Sequence, residues 1–63
     1  MKNATLTKDG ARRIAREDLA GKTVQYDKVH ELGLCAENVY YNGERICGTL
    51  SIVGDDAGLI PQD

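Results

Sequence analysis

The sequence predicts an α+β domain, one helix packed on a three-stranded antiparallel sheet, and three stretches carry that expectation. The first is "LTKDGARRIAREDLAG" at residues 6–21, an amphipathic run with both ends marked. The second is the Asn42-Gly43 pair, which joins two alternating runs into a hairpin. The third is "KTVQYDKV" at residues 22–29, where Val24 and Tyr26 alternate with Gln25 and Asp27. At 63 residues the chain makes one domain, 1–63, with a single small core.

Each element has its own chemistry. Thr7 is a suitable helix N-cap, and Asp9 sits in the first turn, where the helix dipole favours an anion. Gly21 suits the left-handed position after a helix end. Between them Ala11, Ile14, Ala15 and Leu19 form a narrow apolar stripe, while Gly10 weakens the first turn. So short a helix needs a sheet to pack on. "HELG" at 30–33 breaks the strand that follows, with Gly33 as the expected turn residue. A short N-terminal strand at Ala4–Leu6 is an optional addition, and Pro61 argues against a central strand in the acidic tail.

A two-residue loop at Asn42-Gly43 sets Tyr41 opposite Glu44 and carries the pairing outward. One face then holds Cys35, Glu37, Val39 and Tyr41 beside Ile46, Gly48, Leu50 and Ile52, and should receive the helix. The other holds Leu34, Ala36, Asn38 and Tyr40 beside Arg45, Cys47, Thr49 and Ser51. Glu37 is misplaced on the apolar face. A bulge near Gly48 would re-aim it, or it would escape at the sheet edge. In this register Cys35 and Cys47 are out of step on opposite faces, so they are expected to stay reduced.

Apolar residues make up 41% of the chain and charged residues 29%, a globular composition without a membrane-spanning run. The start "MKNATLTKDG" lacks a signal-peptide core, so a bacterial cytoplasmic setting is expected. The net charge of −2 divides unevenly: residues 1–22 sum to +3 and residues 23–63 to −5. That polarity bears on partners.

Catalysis is not expected. His30 is the single histidine, and with Cys35 or Cys47 it makes the one conceivable nucleophile pair. Metal ligands, a cofactor site, a phosphate loop and a small-molecule cleft are not expected either. Arg12, Arg13 and Arg16 could form a patch for phosphates or acidic protein; the alternative is a solvated helix surface partly paired with Asp9 and Glu17. In "VYYNGER" at 39–45, Tyr41 should cover the core edge and Tyr40 stand in solvent beside Arg45 and Asn38. Tyr, Arg and Asn on an open sheet suit a protein interface; the alternative is a cross-strand pair that only supports the hairpin.

The segment "ARRIAREDLAGKTV" (Ala11–Val24) resembles part of one family of small phage-encoded anti-CRISPR proteins that inhibit type I systems. There, too, an Ala/Arg/Ile/Ala helix ends in Gly before a Thr-Val strand and a hairpin, and the likeness covers about a third of this chain. The resemblance implies a monomeric, non-enzymatic inhibitor in the host cytoplasm that docks on a type I CRISPR effector complex and blocks target-DNA binding. Its acidic half departs from that family and suggests a variant mechanism, with Glu31, Asp55 and Asp56 imitating DNA phosphates. The alternative function is a small nucleic-acid-binding regulator using the arginine face of the helix, although confinement of the arginines to one helix argues against direct nucleic-acid binding.

Overall fold

A computed structural model of the chain describes residues 1–62. It corrects the expected fold. In place of one helix on three strands, five antiparallel strands form a single sheet in the order β4-β3-β2-β1-β5. They are β1 (Lys2–Leu6), β2 (Thr23–His30), β3 (Cys35–Tyr41), β4 (Glu44–Ser51) and β5 (Leu59–Pro61). The helix α1 covers only Lys8–Arg13, and a single 3-10 turn follows at Glu17–Leu19. The core is Ala4, Leu6, Ala11, Leu19, Val24, Tyr26, Ala36, Val39, Leu50 and Leu59, drawn mainly from one face of the sheet. Pro61 lies in a short edge strand, where its missing N–H does least harm.

The helix stops early because its two flanks are bonded together. Gly21 N–H donates to Leu6 O at 2.7 Å, and Leu6 N–H donates to Lys22 O at 2.9 Å. Residues 7–20 must therefore return to where they started, which a straight helix rising about 1.5 Å per residue cannot do. Thr7 does cap the helix, its hydroxyl accepting from Gly10 N–H at 2.9 Å. The stop comes at Ala15, which adopts a left-handed φ of 58°. Arg16 N–H reaches Ala11 O and Ala15 N–H reaches Arg12 O, the paired bonds of a Schellman end. A short 3-10 turn then swings Leu19 into the core.

Gly10 has a purpose other than weakening a turn. A β-carbon there would overlap the backbone of Gly58, in the connector between β4 and β5. Around this approach Thr7 N–H donates to Gly58 O at 3.0 Å, and the Thr7 hydroxyl bonds Ala57 O and Gly58 O at 2.9 and 3.1 Å.

Strands β2, β3 and β4 change phase together. Tyr26, Val39 and Cys47 form one inward row across the sheet, and Val29, Ala36 and Leu50 form the next. These rows lie three residues apart along each strand, where an even pleat would give two or four. In the gap the pairings skip Asp27 against Asn38 and Asn38 against Gly48. Asn38 takes a left-handed φ of 53°, and its amide donates to the Asp27 carboxylate at 3.4 Å. A bulge also exists, but at Ile46, between the Tyr40–Arg45 and Val39–Cys47 pairs, two residues short of Gly48. It sets Glu37 opposite Thr49 in place of Gly48, with Lys28 across on β2, while the break in alternation at Asn38 moves Ala36 from the expected open face into the core. Gly33 lies in the turn at residues 31–34 as expected, and the left-handed residue there is its neighbour Leu34, with φ 48°.

Two substitutions test these backbone arguments in chemical denaturation. Gly10→Ala should destabilise by about 3 kcal/mol through overlap with Gly58, whereas helix propensity alone would make the same change stabilising by up to about 1 kcal/mol. Ala15→Gly should stabilise by up to about 1 kcal/mol, by relieving a left-handed alanine.

Candidate functional site

One face of the sheet carries α1, the 3-10 turn and the β4–β5 connector; the other is open. Register places Asn3, Gln25, Tyr40 and Arg45 in a single row across β1, β2, β3 and β4 on that open face. They face outward because their strand neighbours Ala4, Val24, Tyr26 and Val39 face the core. Lateral hydrogen bonds organise the β1 side of the face. Gln25 Nε2 donates to Asn3 Oδ1 at 3.2 Å, and Gln62 Nε2 donates to Thr5 Oγ1 at 2.9 Å and Thr23 Oγ1 at 3.3 Å.

At the other end of the row the Tyr40–Arg45 pairing occurs as expected, with Tyr40 half-buried and Arg45 exposed. Among the described residues no carboxylate pairs with Arg45. Its Nη2 lies 3.1 Å from where a β-carbon on Gly48 would stand, so the guanidinium rests where Gly48 has no side chain. Asn38 is part of the bend and is engaged with Asp27.

Arg12 and Arg13 on α1, and Arg16 in the turn beyond it, each lie near a carboxylate. Arg13 bonds Asp56 at 2.5 Å, tying α1 to the β4–β5 connector. Arg16 bonds both oxygens of Asp18, at 3.2 and 3.3 Å, and Arg12 approaches Asp9 at 4.0 Å. They form no continuous free basic face. Of the acidic candidates, Asp56 is neutralised by Arg13, while Glu31 and Asp55 are exposed in the β2–β3 turn and the β4–β5 connector. Cys35 and Cys47 are free, their thiols donating to Gly33 O and Thr49 O. Among the described residues no group of three or more His, Cys, Asp or Glu is placed to hold a metal ion.

Asn3 and Gln25 were not expected at the site. Their signals were the alternation in "KNATL", with Ala4 and Leu6 inward and Asn3 and Thr5 outward, and that in "TVQYD", with Gln25 between inward Val24 and Tyr26. No family model matches this chain, and no curated protein or solved structure matches it. No helix among the described residues is long and apolar enough to cross a membrane.

The Arg16 hydrogen bond holds the Asp18 carboxyl below its ordinary range, and the same bond raises Arg16. Because the folded value is the lower one, the contact's contribution is present above the unfolded pKa of about 3.9 and is lost as pH falls through the folded value. A carboxyl-detected NMR titration should therefore give Asp18 a midpoint below about 3.9, and Arg16→Ala should move it upward.

Proposed function

We propose that the chain is a non-enzymatic binding protein that docks on a protein partner through its open sheet face, with Tyr40 and Arg45 as principal contacts. The observation that carries this reading is the row from Asn3 to Arg45, which ends in a tyrosine and an arginine held side by side, with no carboxylate on the arginine among the described residues. Tyr and Arg are the residue types that most often dominate protein interfaces. The proposed target is a type I CRISPR effector complex, with inhibition of its target-DNA binding as the outcome, in the host cytoplasm. Support for that target is the likeness of Ala11–Val24 to one inhibitor family. The pairing of Arg12, Arg13 and Arg16 with Asp9, Asp56 and Asp18 favours a protein partner over free nucleic acid.

The test is inhibition of a purified type I effector in a target-DNA binding assay, together with phage survival on a host carrying that system. Tyr40→Ala and Arg45→Ala should each abolish inhibition. Each should cost the free protein no more than about 1 kcal/mol, the usual worth of an exposed cross-strand pair. Inhibition that survives both changes but fails on charge reversal at Arg12, Arg13 and Arg16 would place the interface on the helix instead. A salt-sensitive gel shift of plain duplex DNA by the protein alone would favour the nucleic-acid reading.

A further inference from the structure

We infer that β4 is a docking edge for an extended protein segment carrying a carboxylate, which would add to the sheet as a sixth strand with its acidic side chain on Arg45. The inference deepens the proposed protein-binding role and rests on it. β4 is an end strand of eight residues, against three in β5 at the other edge. An end strand presents one row of backbone N–H and C=O groups without a neighbouring strand. Among the described residues the protein's own connector meets the end of β4, where Gly58 lies against Leu50 and its N–H donates to Ser51 O at 2.7 Å. The Thr49 carbonyl accepts from the Cys47 thiol at 2.9 Å.

Beside this edge lies a depression of about 350 Å³ lined by Arg45, Ile46, Cys47 and Gly48. Two local features shape it. The bulge at Ile46 re-aims Arg45 relative to the strand beyond it. The bare backbone of Gly48 leaves the space that the guanidinium occupies. Arg45 is the sole cation of β3 and β4, and a planar guanidinium matches a carboxylate through two parallel hydrogen bonds.

The charge pattern selects the occupant. Glu37 and Glu44 accompany Arg45 on the hairpin, and they repel a polyphosphate, with its several charges, more strongly than a segment that sets one carboxylate on Arg45. A second copy of the chain fits poorly. The exposed large apolar residues are Met1, Leu32, Leu34, Val53 and Ile60, none on β4, whereas stable homodimer interfaces have an apolar core. Strand addition instead draws affinity from main-chain hydrogen bonds and selectivity from one or two side chains.

The experiment titrates the isotopically labelled full-length protein with two synthetic decapeptides of alternating Thr and Val, one with two central Glu residues and the other with two central Lys. Amide shifts and hydrogen-exchange protection are read along the chain. The Glu peptide should shift and protect β4 amides and bind at least about tenfold more tightly than the Lys peptide, a difference of about 1.4 kcal/mol. Arg45→Glu should invert that preference. Gly48→Thr, which takes the guanidinium's seat, should weaken the Glu peptide at least about fivefold while the spectrum stays folded. Equal affinity for both peptides, silent β4 amides, shifts confined to β5 or the open face, or self-association that protects β4 without peptide would each overturn the inference. The two proposals can fail separately. Loss of effector inhibition in Tyr40→Ala with silent β4 amides sinks the edge and leaves the open face standing. A β4 response with no inhibition of any effector does the reverse.

Discussion

The fold depends on one backbone contact, the passage of Gly10 over Gly58. The β1-to-α1 turn and the β4-to-β5 connector cross there, and the crossing leaves no room for a side chain on Gly10. Thr7 fastens it with one hydroxyl that accepts from Gly10 N–H and donates to the carbonyls of Ala57 and Gly58. The connector then lies against Leu50, and β5 reaches the far side of β1. Sequence positions 50 residues apart are held by groups buried or half-buried at the crossing. A domain this small, with free cysteines, has little other means of closing its core.

Closure at one end leaves the bend in the sheet to shape the other. Because β2, β3 and β4 slip phase along one transverse line, the inward rows stay aligned and no strand pays the slip alone. Left-handed Asn38 supplies the turn in the backbone, and Gly48 avoids crowding on the next strand. The bulge at Ile46 lies immediately beyond that line. The Tyr40–Arg45 pair thus sits past the irregularity, in the regular register of the hairpin tip.

What could be read in the sequence is what local chemistry decides. The Asn-Gly turn, the Thr7 cap, strand β2 and the Tyr40–Arg45 pairing each depend on residues within one turn or one hairpin. The helix end did not yield to that reading, since Ala15 carries no stop signal and the bonds between Leu6 and residues 21–22 are made by the returning chain. Strand β5 is three residues long and pairs with β1 across most of the sequence, as in Ala4 with Pro61. Ala36 was placed on the wrong face because left-handed Asn38 breaks the alternation of β3 and reverses the side chains beyond it. The site divides in the same way. Tyr40 and Arg45 were legible from the hairpin, whereas Asn3 and Gln25 join them only once the placing of two further strands, β1 and β2, is known.

The four arginines differ in what they can offer a partner. Arg13 and Arg16 already hold Asp56 and Asp18, and Arg12 lies near Asp9. An incoming anion would have to displace those carboxylates or bring them into a desolvated interface, and each new contact replaces an old one. Arg45 has no such contact to lose among the described residues. Resting over Gly48, its guanidinium is also partly positioned before a partner arrives, so less side-chain freedom is lost on binding. Equal charge therefore does not mean equal capacity to bind. Arg12, Arg13 and Arg16 are the more numerous group, but among the described residues the single arginine at the sheet edge is the one with no carboxylate to give up.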